Sequence, residues 1–416
     1  MIFNSADILI PKNTDLKKWS VVACDQYTSE PDYWNEVKTN VGDSPSALNI
    51  IYPEAFLSEG DGRIAVINKN IDEYISSGVF EEYKDSLVFV ERLQRNGKAR
   101  YGIIGTVDLE HYDYNKGSES LIRATEGTVL ERIPPRVKIR ENAALEMPHI
   151  LMLIDDDKRT VIEPLKEKAD SFEKLYDFDL QMNSGHLKGY LIDSDTTKSV
   201  LSAIEKLGER EAFVDKYKTD KATLQFAVGD GNHSLATAKA CWENLKGSLS
   251  DAEKAVHPAR FALVELMNVH DDTLEFEAIH RVVTDVDADK LLNDLFKYYP
   301  GASYENNGGQ EFTVCLGGEK KKVYITDAPS QLAVGTLGKF LDEYLENNRG
   351  EVDYIHGEDV VEKLSGAENS IGFILPSMKK SELFETVIHD GALPRKTFSM
   401  GEAHDKKFYL ECKKIK

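Results

Sequence analysis

TLQFAVGDGNHSLATAKACW, residues 223–242, carries a strand signal, a turn signal and a helix signal in succession. Leu224, Phe226 and Val228 alternate along a short apolar run, which reads as a strand. Gly229-Asp230-Gly231-Asn232 is a dense turn signal, and Ser234 stands at the expected helix N-cap. Behind it Leu235, Ala238, Trp242 and Leu245 recur every three or four residues, the spacing of a helix with one buried face. Strand, glycine turn and helix start leave backbone N–H groups unpaired at the positive end of a helix dipole, where an anion can approach. Asp230 and His233 lie in the same turn, so acid–base or metal-binding chemistry stands beside that anion site. The same residues also suit a tight structural connection in which Asp230 caps the turn and His233 is polar surface.

Outward from this stretch, composition narrows the class. The chain has 416 residues, enough for two or three domains. Lys plus Arg number 51 against 72 for Asp plus Glu, a net charge of −21. That balance disfavours nonspecific binding to nucleic acid or an anionic membrane unless a local basic patch overrides it. Cys24, Cys241, Cys315 and Cys412 are far apart and form no Cys-x-x-Cys pair, so neither a disulfide framework nor a structural zinc site is expected and a cytoplasmic location is the simplest. The N-terminal MIFNSADILIPKNTD lacks a basic flank ahead of a long apolar run, and no signal peptide or membrane span is expected.

Along the chain, strands are expected at residues 8–10 and 19–24, with the second opening into the polar loop Asp25 to Pro31. Helices are expected over 68–85, 164–176, 198–206, 337–345 and 359–364. Hairpins are expected at 87–95/99–109, through Asn96-Gly97, and at 312–316/322–325. A linker is expected over 112–118, a strand over 149–154, a charged turn tip at Asp155-Asp156-Asp157, and a closing strand over 407–411. On this acidic chain the run containing Arg123, Arg132, Arg136, Lys138 and Arg140 is locally basic, suited to holding a phosphate or carboxylate through bidentate guanidinium contacts. Thr125, Glu126 and Thr128 add hydroxyl and carboxylate groups just before it. Alternating strands and helices argue α/β or α+β architecture around a mixed sheet.

The order of these fragments resembles, along essentially the whole chain, the bacterial and archaeal family known as domain of unknown function 1015. Its central signature, approximately I-A-D-G-H-H-R-Y-E-T-A, is similar to Val228 through Ala238, with Asn232 and Ser234 in place of a His and the Arg. Its R-P-H-E-x-T resembles Arg123 to Thr128, with Ala124-Thr125 in place of Pro-His, followed by Arg136. His186, His280 to Val283 and Pro394 to Phe398 match further family fragments. The D-G-x-H turn is also similar to the loop of the ParB/sulfiredoxin-like fold, whose members bind nucleotide phosphates there and in some cases phosphorylate free L-serine.

The resemblance implies a mixed-sheet core of ParB/sulfiredoxin-like type in residues 1–285, a helical insertion at about 125–185, and a C-terminal α/β domain over 286–416. It implies a cytoplasmic phosphotransferase acting on a small hydroxy amino acid such as L-serine, with Mg²⁺ and ATP, ADP or pyrophosphate as donor. Asp25, Glu126, Asp230 and His233 are the expected catalytic groups, with Asp230 the candidate metal ligand. Arg123, Thr128, Arg136, His186, Gly231, Asn232, Ser234, His280, Arg281, Arg395 and Lys396 are expected to bind substrate or phosphate. The expected partner is a small molecule rather than nucleic acid or membrane, and the sequence leaves no trace of oligomeric state. A regulatory protein that binds a nucleotide or amino acid without turnover is the alternative. A DNA-associated ParB-like protein is disfavoured by the net charge.

Overall fold

The computed structural model describes residues 1–115 and 117–416. Two compact units emerge, one formed by Met1–Leu274 with Gly401–Lys416, the other by Glu275–Met400.

The first unit is built on a ten-stranded mixed sheet. From one edge its strands run Glu173–Asp179, His186–Leu191, Val88–Leu93, Ala99–Asp108, Phe261–Asn268, Leu151–Ile154, Phe226–Asp230, Ile122–Ala124 and Tyr112–Asp113, with Phe3–Asn4 added on Ala99–Asp108. The first five pair antiparallel, whereas Phe261–Asn268 runs parallel to Leu151–Ile154 and Phe226–Asp230 parallel to Ile122–Ala124. Both faces are covered, which explains why the central strands read as continuous apolar runs. Side chains alternate between two hydrophobic clusters: Val88, Val90 and Ile104 join one, Leu87, Phe89 and Ile103 the other.

The second unit has a six-stranded antiparallel sheet ordered Ala302–Ser303, Glu319–Ile325, Gln310–Leu316, Ile371–Ile374, His280–Thr284 and Glu351–Ile355. Four helices accompany it, Ala288–Tyr298, Ala333–Asn347, Glu358–Ser365 and Lys380–Asp390. The mixed α/β class is as expected. The closing residues 401–416 belong to the first unit, although they follow the second in sequence.

Several local expectations are corrected. The helix expected over 68–85 is Asp61–Ser76; Gly78, at φ +71°, ends it, and the chain continues as the strand Phe80–Ser86. The helix expected over 164–176 is the short Glu163–Lys168, followed by the edge strand Glu173–Asp179. Residues 19–24 are not a strand: Asp15 caps the helix Leu16–Trp19 by accepting from Lys17 N–H at 3.0 Å. The stretch 125–185 holds the helices Ile133–Arg140 and Glu163–Lys168, but it also supplies Leu151–Ile154, an interior strand of the main sheet. Of the linker expected over 112–118, Tyr112–Asp113 is a sheet strand and Lys116 lies outside the described residues.

The closing segment is held by backbone bonds to two N-terminal stretches: Ala23 N–H donates to Lys407 C=O at 3.0 Å, Tyr409 N–H to Val21 C=O at 2.8 Å, and Leu9 exchanges bonds with Cys412. Lys407 is buried beneath it, 2.9 Å from Glu265 and 3.2 Å from Glu411. Glu265 in turn lies 3.6 Å from the buried Arg100, and Arg92 stacks over Phe408. This charge network locks the end of the chain to the centre of the sheet.

Candidate functional site

The strand Phe226–Asp230 leads directly into the helix Asn232–Lys246 through one residue, Gly231. Gly231 takes the left-handed conformation at φ +77°, and a Cβ there would stand 2.9 Å from the Ile150 Cα. Only glycine meets both conditions without strain. The N-cap is therefore Gly231 and not Ser234, because the left-handed turn starts the helix earlier than the hydroxyl signal suggests. No side chain caps this end. The first-turn amides of Asn232, His233 and Ser234 precede the Leu235 N–H···O=C Gly231 bond of 3.0 Å, so they remain available to an anion at the positive end of the dipole.

These amides border a cavity of about 500 Å³ within the first unit. Asp25, Glu126, Arg136, Asp230, Gly231, Asn232, His233 and Ser234 all line it, which brings together eight residues expected at the site from four separate stretches of sequence. Arg132, Arg140, Glu54, Glu146, His149 and Tyr409 line it as well.

The cavity's charges are arranged mostly as pairs. His149 is buried, with Nε2 3.5 Å from Asp25 Oδ2 and Nδ1 2.8 Å from the Tyr409 hydroxyl, which also accepts from Cys24 N–H at 3.2 Å. Burial alone would pull the imidazole pKa down, but Asp25, Asp230 and Glu54 outweigh it and hold His149 above its ordinary 6.5. Burial would likewise raise the Asp25 carboxyl; the charge and hydrogen bond of His149, with Gln26 and Lys406, hold it well below the usual carboxylate range. Asp230 Oδ2 lies 3.1 Å from the Lys406 ammonium, and its Oδ1 accepts from Gly231 N–H at 2.9 Å. Arg136 pairs with Glu54 and Arg140 with Glu146. Arg132, exposed, has no ion-pair or hydrogen-bond partner for its guanidinium among the described residues.

His233 plays a different part. Burial, reinforced by Arg136 and Arg132, lowers its pKa, and the neutral ring accepts from Val129 N–H at Nε2 over 3.3 Å. It thereby ties the loop that bears Glu126 to the start of the helix.

Other expected site residues lie elsewhere. Arg123 is buried and donates to the carbonyls of Ser120, Ala222 and Thr223, where it fastens one sheet edge. The Thr128 hydroxyl is buried and has no hydrogen-bond partner among the described residues, and Thr128 is not among the cavity-lining residues. His186 bridges Asp177 at 2.6 Å and Asp179 at 2.7 Å on the neighbouring strand. His280, Arg281, Arg395 and Lys396 belong to the second unit. There Arg281 donates to the carbonyls of Ile279, Arg395 and Lys396 and stacks on Tyr354, while His280 Nδ1 accepts from Leu375 N–H at 3.1 Å.

Sequence reasoning passed over His149, Lys406, Tyr409 and Glu54 as site residues. His149 stands just ahead of the apolar strand run 150–154, a position that could have marked it. Nothing local marks Lys406 or Tyr409, which reach Asp230 and His149 across 176 and 260 residues of chain. As for a metal, no group of three His, Cys, Asp or Glu side chains suited to one occurs among the described residues.

The family model described as "Protein of unknown function (DUF1015)" matches residues 8–344. The chain belongs to this family. A search of curated proteins finds no match. Among solved structures, the chain is similar to SbnI with a C-terminal truncation from Staphylococcus aureus, at 11% identity and TM-score 0.36, over 74% of this chain and 82% of that one. It is similar to a free serine kinase in complex with AMP, at 12% identity and TM-score 0.36, over 72% and 91%. A conserved hypothetical protein from Pyrococcus furiosus shows 12% identity and TM-score 0.32, over 72% and 91%.

Proposed function

We propose that this member of the DUF1015 family is a small-molecule phosphotransferase that acts on a hydroxylated acceptor, with a free hydroxy amino acid such as L-serine the simplest to assay. The observation that carries this reading is the convergence, in one cavity, of an uncapped helix N-terminus, guanidinium groups and several carboxylates. Phosphoryl transfer requires positive groups around the transferred phosphate and a carboxylate or imidazole to receive the acceptor's proton. The amides of Asn232 to Ser234 and the unpaired Arg132 supply the first, with Arg136 available if a phosphate displaces Glu54 from it. Glu126, exposed on the loop that His233 holds, is the better proton acceptor. Asp25 is a weak one, because its neighbours hold it so firmly ionised.

Mg²⁺ in such enzymes is held by one or two carboxylates together with substrate phosphates, so a three-residue protein cage is not required. Asp230 fits that donor set, with Asp25 as second carboxylate, and the ion would neutralise charge on the transferring phosphate. The donor would be ATP, ADP or pyrophosphate.

The pairing of Asp25 with His149 also favours a second reading, a regulatory protein that binds the same anion without turnover. Calorimetry against ATP, ADP, pyrophosphate and L-serine, followed by a transfer assay, separates the two. Asp230→Ala should abolish transfer while leaving the unfolding transition in place; retained activity would remove this turn from the mechanism.

A further inference from the structure

Much of the cavity wall is apolar. Ile50, Ile67, Ile71, Ile139, Leu145 and Met147 line it, and all six belong to one packed hydrophobic cluster, distinct from the turn that carries Asp230 and His233 and from the loop that carries Glu126. Two ion pairs, Arg136 with Glu54 and Arg140 with Glu146, also line the cavity and satisfy each other's charge. Leu57, 45% exposed, is a further apolar lining residue. A cavity of about 500 Å³ falls in the range for ligands larger than a three-carbon amino acid.

We infer that the acceptor is an anionic or hydroxylated small molecule with an aliphatic body, which packs against the Ile67, Ile71 and Ile139 wall while its reacting oxygen meets the phosphate at the helix N-terminus. This rests on the phosphotransferase reading and specifies its substrate class. An aliphatic body matches the wall better than a nucleobase does. A base would bury ring nitrogens and an exocyclic amine against isoleucine, leucine and methionine side chains that offer no hydrogen bond. Of the two tyrosines that line the cavity, Tyr52 has Arg63 over its ring at 5.2 Å and donates its hydroxyl to Gly60 C=O at 3.0 Å, while Tyr409 is buried against His149. Both rings are therefore poor stacking platforms.

Alkyl phosphates of increasing length imitate the phosphorylated product and test the inference by calorimetry on the full chain. Inorganic phosphate, methyl, butyl and hexyl phosphate and ribose 5-phosphate are the probes. Affinity should rise with each methylene, approaching about fourfold per group where burial is complete. Hexyl phosphate should bind at least tenfold more tightly than ribose 5-phosphate. Ile139→Asn, at a half-buried position on the short helix Ile133–Arg140, should flatten the chain-length dependence and leave inorganic phosphate affinity unchanged. Phosphate binding with no dependence on alkyl length, or ribose 5-phosphate binding more tightly than hexyl phosphate, would overturn the aliphatic acceptor while sparing the phosphotransferase. If neither inorganic phosphate nor any ester binds, the phosphate site fails, and the aliphatic acceptor with it. The wild-type series decides the matter even if the variant does not fold.

Discussion

Gly231→Ala is the substitution with the most definite expected outcome. At φ +77° an alanine pays the left-handed penalty of about 1–2 kcal/mol, and its Cβ would stand 2.9 Å from the Cα of Ile150, a backbone atom that cannot swing aside. Crowding of that kind adds about 1–2 kcal/mol, for a total of roughly 2–4 kcal/mol. In a unit of this size that lowers the midpoint of thermal unfolding by roughly 4–10 °C. Relief of the strain would tilt the first turn of the helix, and inorganic phosphate affinity should fall about tenfold, the equivalent of ~1.4 kcal/mol. Gly247→Ala, at the other end of the same helix, is the control. Its φ is −63° and nothing lies within 4 Å of an added Cβ, so stability should hold or rise by about 0.5 kcal/mol. Scanning calorimetry with phosphate titration reads both variants. Equal midpoints and equal phosphate affinity for the two would refute the argument that this turn is built around glycine to present its amides.

Charge and pH give further tests. His149 has a raised folded pKa, so its stabilisation is complete below the unfolded value of about 6.5 and is lost as pH rises through the folded one. Asp25, with a lowered pKa, contributes above the unfolded value of about 3.9 and loses that contribution as pH falls. Urea midpoints should therefore decline on the alkaline side, and His149→Gln should flatten that limb; an unchanged slope would count against the pair. Arg132→Ala should weaken phosphate binding about tenfold with little change in stability, since its guanidinium has no partner to lose among the described residues. Arg123→Ala should do the reverse, because its donors satisfy three buried-edge carbonyls; calorimetry on both variants checks the exchange. Lys407→Met should cost roughly 3 kcal/mol by leaving Glu411 buried without its cation and Glu265 with only Arg100 at 3.6 Å, measured by urea unfolding.

The readable parts of this chain are the ones whose cause is local. The turn at 229–232 announces itself through glycine spacing, and the hairpin at 87–95/99–109 through its Asn96-Gly97 turn; both occur where expected. The failures also have local explanations. The pattern over 68–85 satisfies helix periodicity past Gly78, yet the residues after that glycine form a strand that pairs with Ala6–Pro11, a partner about seventy residues away. Arg123 looks like any cation in a basic run, and only the carbonyls of Ala222 and Thr223 reveal it as a fastener. Lys406 and Tyr409 enter the site because the last sixteen residues return to the first unit after the second has been completed. No periodicity encodes that return; the buried Lys407, Glu265 and Glu411 set it, and the side chains on either side of Lys407 follow.

Phosphate at the start of the Asn232–Lys246 helix is the central premise of the proposed chemistry. Backbone amide shifts of Asn232, His233 and Ser234, followed by nuclear magnetic resonance during titration with inorganic phosphate, test this directly. Phosphate at the helix start should give saturable downfield shifts of these amides, reduced in Arg132→Ala and in Gly231→Ala. Phosphate binding that leaves all three amides unmoved would contradict it.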